Sequence, residues 1–162
     1  MITCAFENGN HALPGLRHIT CSNIIIKDGK ILLGLRKDIP GRNMLEVGKW
    51  GLIGGFMDRD ETLERCVARE VMEESGWQVA HIQLLRINDS PSRPMEDRQN
   101  VDFIFIAEAT VQTGSHDNEM KELRWFDLDV LPADTEIAFD HADSIKLYKL
   151  HLKSPQILPI IG

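Results

Sequence analysis

The spacing of apolar and polar positions changes several times along this chain, and each change marks a new element. Ile19–Lys27 and Lys30–Leu35 are apolar-rich runs separated by Asp28-Gly29, a dipeptide that favours a tight hairpin. They predict two antiparallel strands. Residues 36–49 mix charges with Pro40 and Gly41 and predict a loop, while Trp50–Phe56, with Gly51, Gly54 and Gly55, predicts strand or turn. From Thr62 to Ser75 the period becomes helical: Leu63, Val67 and Val71 recur at every fourth position, with Cys66 beside them. Thr62 or Asp60 suits the N-cap, and Gly76 stands where a helix-ending glycine belongs.

Beyond that helix, Gln78–Asn88 predicts a strand and 89–100 a polar, proline-containing loop. Val101–Thr110, rich in Phe and Ile, predicts a buried strand. A polar loop at 112–119 leads to a short strand, Leu123–Phe126, and a turn at Leu131-Pro132. Asp140–His151 predicts a second helix, with Ile145, Tyr148 and Leu152 at helical spacing. Residues 1–17 read as an irregular lead-in and 153–162 as a tail, leaving one domain at 18–152. Interleaved strands and helices point to a layered α/β domain. The early hairpin makes the sheet mixed rather than purely parallel.

Composition narrows the class. The 162 residues are 43% hydrophobic and 27% charged, as in an ordinary globular protein. The densest apolar run, Phe103–Ala107, is far shorter than the ~20 residues of a membrane span. A net charge of −7 argues against a nucleic-acid partner, which calls for a basic face. Cys4, Cys21 and Cys66 form no CxxC pair, so neither a disulfide framework nor a zinc site is expected. With no signal-like N-terminus, the expectation is a cytoplasmic protein with reduced thiols.

The acidity is concentrated. Residues 58–74 hold seven acids and three bases, a local charge of 3 − 7 = −4. On a helix turning about 100° per residue, Glu70, Glu73 and Glu74 fall on one face. They crowd the C-terminal end, where the helix dipole already disfavours negative charge. A solvated face balanced by Arg65 and Arg69 is one reading. The other is a bound cation, and oxygen ligands alone favour Mg²⁺ or Mn²⁺ over zinc.

The segment Gly55–Trp77 decides between them. It resembles the Nudix box, G-x5-E-x7-R-E-U-x-E-E-x-G-U with U a bulky apolar residue, through Gly55, Glu61, Arg69, Glu70, Glu73, Glu74 and Gly76 without a gap. Val71 and Trp77 fill the apolar positions; Trp77 departs from the usual aliphatic, which bears on packing more than chemistry. The resemblance covers roughly residues 18–152 and implies a single-domain α/β/α sandwich around a mixed sheet. It implies a hydrolase that cleaves a phosphoanhydride bond with Mg²⁺ or Mn²⁺. By position it makes Glu70 and Glu74 metal ligands and Glu73 a further one, direct or through water. Gly54 or Gly55 could add a carbonyl oxygen. Arg69 would orient the glutamates, and Glu61 would brace the motif or sit near the metals.

The general base is then a box acid such as Glu73 or the loop acid Glu119, with Glu122 the more structural neighbour. Arg36 suits a phosphate contact or a solvated surface. Trp50 suits base stacking or, as a large residue beside a strand, packing. Arg98 is a candidate phosphate or ribose contact, and His141 reads as a surface or interface histidine. The segment Glu96-Asp97-Arg98-Gln99 loosely resembles ADP-ribose-cleaving members, which favours an ADP-ribose-like nucleotide sugar as the small-molecule partner. A nucleoside triphosphate pyrophosphohydrolase and a non-hydrolysing Nudix ligand sensor are the alternatives, and a homodimer is compatible with the sequence.

Overall fold

The computed structural model describes residues 17–41, 44–93, 100–115 and 119–162. Eight strands form one mixed sheet: β1 (Ile19–Lys27), β2 (Lys30–Arg36), β3 (Trp50–Gly51), β4 (Ile53–Phe56), β5 (Trp77–Asn88), β6 (Val101–Gln112), β7 (Met120–Asp127) and β8 (Ile160–Ile161). Two long helices, α1 (Leu63–Ser75) and α2 (His141–Lys153), join them. β1 lies at the centre, parallel to β6 from Ile19↔Val101 to Ile26↔Glu108. Its other edge changes partner. Thr20–Asn23 pairs with β4 and Ile26–Lys27 with β2, both antiparallel. The Asp28-Gly29 turn closes that hairpin with both residues at positive φ, as a primed turn requires.

Alternation along the strands sends residues to two cores. Cys21, Ile25, Leu32, Ile53 and Phe105 pack with Cys66, Val67 and Val71 of α1. Ile24, Ile31, Leu33, Leu85 and Ile104 pack with Ala142, Ile145 and Tyr148 of α2. The sheet is therefore covered by a helix on each face, the α/β/α sandwich. Truncating a fully buried side chain such as Leu33 to Ala would cost about 2–5 kcal/mol.

The ends of α1 follow their local chemistry. Thr62 Oγ1 accepts from Arg65 N–H at 3.3 Å, so Thr62, not Asp60, is the cap. Gly76 ends the helix at φ +70° and donates its N–H to Met72 O at 2.8 Å. A Cβ there would meet Gly114 O at 2.2 Å, so the position needs glycine twice over.

Several elements exceed the sequence expectation. β7 starts at Met120 rather than Leu123 because β2 pairs along all of it, from Lys30↔Asp127 to Arg36↔Met120. The backbone ladder outweighs the polar composition of Lys121 and Glu122. The expected tail returns to the sheet, with Ile160 and Ile161 pairing parallel to Arg86 and Ile87. Leu152, expected on the apolar stripe of α2, is 55% exposed. Cys21 and Cys66 are buried free thiols. No helix of the described residues is long and apolar enough to cross a membrane.

Candidate active site

The site is built from the C-terminal half of α1 and the glycine pair of β4. Glu70 and Glu74 are buried, 9% and 5% exposed, whereas Glu73 faces solvent. Glu74 Oε2 accepts from Gly54 N–H at 2.8 Å. Gly54 has φ +151°, and a Cβ there would fall 1.9 Å from Cys21 O. Next to it, a Cβ on Gly55 would lie 2.7 Å from both oxygens of Glu70. The glycines thus let two buried carboxylates rest directly on a backbone strand.

Arg69 holds the rest. It grips Glu61 with two parallel bonds, Nε to Oε1 and Nη2 to Oε2, each 2.9 Å. Its Nη1 donates to Glu70 Oε1 at 2.8 Å and Glu73 Oε2 at 3.1 Å, and Nη2 donates to Phe56 O at 3.0 Å. Glu61 Oε2 also accepts from Asp58 N–H at 3.1 Å, tying the loop before α1 to the same hub. The forked geometry is specific to arginine. The Arg69 hydrogen bond holds the Glu61 carboxyl below its usual range.

Glu70 goes the other way. Burial pushes its pKa up to about 7, against the pull of Arg69, with the charges of Glu73 and Glu119 adding to the rise. Glu119 stands at the entrance to β7, its carbonyl accepting from Lys37 N–H at 3.1 Å. Arg36 is half-buried and also feels Glu119. Its Nε donates to Leu45 O at 2.9 Å, its guanidinium lies 5.0 Å from the Phe139 ring centroid, and Glu74, Glu119 and Glu46 act on it electrostatically. Burial lowers the Arg36 pKa, and the three carboxylates oppose that fall.

The other candidates lie elsewhere. Trp50 packs on the α2-side core, edge-to-face with Phe126 at 4.9 Å, and Arg124 covers its ring at 5.0 Å. Glu122 sits within β7 and binds Arg124. Arg98 and its Glu96–Gln99 segment lie outside the described residues. His141 is not a surface histidine: it is 7% exposed, and its Nδ1 accepts from Leu52 N–H at 3.0 Å. Burial lowers its pKa to about 3, so the ring is neutral. A histidine beside an aspartate at a helix start carries no sequence mark of that backbone bond, which depends on tertiary placement.

Among the described residues, no three His, Cys, Asp or Glu side chains converge as a ready ligand set. Glu70 and Glu73 share Arg69 Nη1, while Glu74 is held at the Gly54 N–H. The acidic surround nevertheless fits a cation: among the described residues, Glu61, Glu70 and Glu73 converge on Arg69, and Glu74 and Glu119 act on Arg36. All donors are oxygen, which suits Mg²⁺ or Mn²⁺.

Comparison with known proteins agrees with this arrangement. The NUDIX domain family model matches residues 16–148. An ADP-ribose pyrophosphatase of Methanocaldococcus jannaschii is 35% identical over 130 residues, covering 80% of this chain and 72% of that protein. The human NAD-capped RNA hydrolase NUDT12 is 32% identical over 143 residues, covering 84% of this chain but only 29% of that protein. Among solved structures, a NUDIX hydrolase from Nitrosomonas europaea superimposes with a TM-score of 0.73 at 27% identity, over 94% of this chain and 81% of that one. A sandwich with a glycine-cradled glutamate helix is the architecture of a pyrophosphohydrolase class acting on acid anhydrides of phosphorus. This chain belongs to that class, the Nudix hydrolase family.

Proposed function

We propose that the chain is a divalent-metal-dependent hydrolase of the phosphoanhydride bond in a nucleoside diphosphate derivative, with an ADP-ribose-like nucleotide sugar as substrate. The observation that carries this reading is the seating of the buried Glu70 and Glu74 carboxylates on the Gly54-Gly55 cradle, with Arg69 bridging Glu61, Glu70 and Glu73 beside them. Glu70, Glu73 and Glu74 would hold Mg²⁺ or Mn²⁺, which supplies charge neutralisation and water activation. Arg69 keeps these carboxylates in register. Arg36 meets a phosphate oxygen, replacing part of its interaction with Glu74 and Glu119. Glu119 accepts the proton of the attacking water, with the exposed Glu73 as the other candidate. Hydrolysis of ADP-ribose by this route yields AMP and ribose 5-phosphate.

The substrate class is supported by the 35% identical ADP-ribose pyrophosphatase, which this chain matches over most of both lengths. Arg98 would contact phosphate or ribose. Trp50 could stack on a base only by displacing Arg124 from its ring, so its packing reading is the better supported. A second reading comes from the NAD-capped RNA hydrolase relative: an NAD cap carries the same kind of anhydride bond.

A product screen separates these readings. ADP-ribose, NAD, NAD-capped RNA and deoxynucleoside triphosphates are each incubated with and without Mg²⁺, and products are identified by chromatography. AMP and ribose 5-phosphate from ADP-ribose, abolished by chelation, is the expected result. Preferential turnover of capped RNA or of triphosphates would replace the nucleotide-sugar assignment. Tight ADP-ribose binding with no turnover of any substrate would make the chain a sensor.

A further inference from the structure

A second arginine lies across the sheet from Arg69. Arg93 is 9% exposed and grips Asp140 with two bonds of 2.8 Å, from Nε to Oδ2 and from Nη2 to Oδ1. It also donates from Nη2 to Asp102 Oδ2 at 3.3 Å and from Nη1 to Asn100 O at 3.5 Å. Asn88 adds a bond to Asp140 Oδ2 at 2.6 Å. The Thr20 and Ser22 hydroxyls donate to Asp102, each at 2.9 Å. Asp140 immediately precedes α2, so this network fixes the start of that helix.

The residues around Asp140 reach the candidate active site. Ala138 N–H donates to Trp50 O at 2.7 Å, and Leu52 N–H donates to His141 Nδ1 at 3.0 Å. An imidazole thus accepts the Leu52 bond, and the neutral ring carries its proton on Nε2. Between the two bonds Phe139 has φ +54°, a conformation that a bulky aromatic holds only when its surroundings impose it. Its ring stands 5.0 Å from the Arg36 guanidinium and 5.4 Å from the His141 ring. Arg36 faces Glu74 and Glu119. Leu52 lies two residues before Gly54, whose N–H holds Glu74. One strained turn therefore supports both the cation beside the box carboxylates and the strand beneath them.

We propose that Arg93 is a positioning residue for hydrolysis: by clamping Asp140 it holds the Phe139 turn, and through it Arg36 and the Leu52–Gly54 strand, in the working arrangement. This rests on the hydrolase reading above. Arg93 acts through other residues and is not assigned a contact with substrate. Displacements of about 1 Å in a support of this kind are enough to lower a rate a hundredfold.

The test compares Arg93→Met, Arg93→Lys, Phe139→Gly and the core variant Leu85→Ala. Each is measured for melting temperature, Mn²⁺ affinity by electron paramagnetic resonance, and kcat and KM. Arg93→Met is expected to lower kcat by about tenfold or more and weaken Mn²⁺ binding severalfold, well below its melting temperature. Arg93→Lys recovers part of both. Phe139→Gly accepts the positive φ but loses the ring. It should lower kcat about as much while losing no more melting temperature than Leu85→Ala.

Leu85→Ala removes apolar volume from the α2-side core and deletes no hydrogen bond of the Arg93 network, so it is expected to lower the melting temperature yet leave kcat and Mn²⁺ affinity within about twofold of wild type. Wild-type kcat and Mn²⁺ affinity in folded Arg93→Met, or losses in Leu85→Ala equal to those in Phe139→Gly, would overturn the proposal. If Arg93→Met fails to fold, Asp140→Asn takes its place under the same criteria; if neither folds, Phe139→Gly decides. Should the wild type turn over no substrate yet bind Mn²⁺, the hydrolase reading falls and the Mn²⁺ comparison still decides the positioning role. A wild type with neither property sinks both.

Discussion

Two arginines bridge carboxylates on opposite faces of the sheet, and the carboxylates around them are satisfied differently. Arg93 serves Asp102 and Asp140 in a nearly closed pocket, with Thr20, Ser22 and Asn88 supplying the remaining donors. Burial raises the Asp102 pKa. Burial also pushes up on Asp140, but the bonds from Arg93 outweigh it and leave that carboxyl low. That network satisfies its carboxylate oxygens with donors from within the chain. Around Arg69, Glu61, Glu70 and Glu73 share one guanidinium, and burial raises Glu70 to about 7. A buried carboxylate is costly to ionise, so this crowding at a backbone cradle supports the cation reading proposed above. The closed network is structural support; the open one is where the proposed cation would be held.

The sharpest way to break that contrast is to remove one carboxylate from the open cluster. Glu70→Gln and Glu74→Gln each keep side-chain shape and delete a charge. Each is expected to lower kcat by about a thousandfold, roughly 4 kcal/mol in the barrier, while the fold persists. Turnover near wild type at saturating Mg²⁺, with unchanged circular dichroism, would remove that residue from the ligand set.

Next in size is the proton acceptor. Glu119→Gln should lower kcat about a hundredfold with little change in KM, the lower end of what general-base assistance supplies. Glu122→Gln, whose carboxylate is partly exposed and paired with Arg124, should change kcat by less than about threefold, since exposed pairs contribute little. Equal mild effects would return the role to Glu73. A larger loss at Glu122 would mean that the β7 carboxylate, and not the one at its entrance, faces the reacting water.

The open cluster was legible in the sequence because its spacing is local. Glu70, Glu73 and Glu74 share a face by helical period alone, and Thr62 and Gly76 bound the helix by their own chemistry. The closed cluster was invisible. Asp140 lies 47 positions from Arg93, and nothing in the neighbourhoods of Arg93, Asp102 and Asp140 announces a shared pocket. His141 misled for the same reason: its bond to Leu52 spans 89 positions. The length of β7 and the return of Ile160–Ile161 to the sheet follow from ladder partners that composition does not name.

The smallest expected effect is on stability without metal, and it sharpens the comparison most. Glu70 in the folded protein has a pKa of about 7, raised from an ordinary 4.5, so the folded metal-free chain prefers its protonated carboxyl. The stabilising contribution of that group is complete below about pH 4.5 and is lost as pH rises through 7. Glu70→Gln has nothing to titrate there. In the presence of a chelator, its melting temperature should therefore gain on wild type as pH rises from 5 to 8, by about 2 kcal/mol or roughly 4–8 °C. Millimolar Mg²⁺ binds the carboxylate form of wild type and should reverse the order at pH 8 by mass action. Asp102→Asn, in the closed cluster, should show no such Mg²⁺-dependent reversal. Parallel melting curves for wild type and Glu70→Gln across pH 5–8, with and without Mg²⁺, would mean that the Glu70 carboxyl is already compensated within the chain. The distinction between the two arginine networks would then collapse.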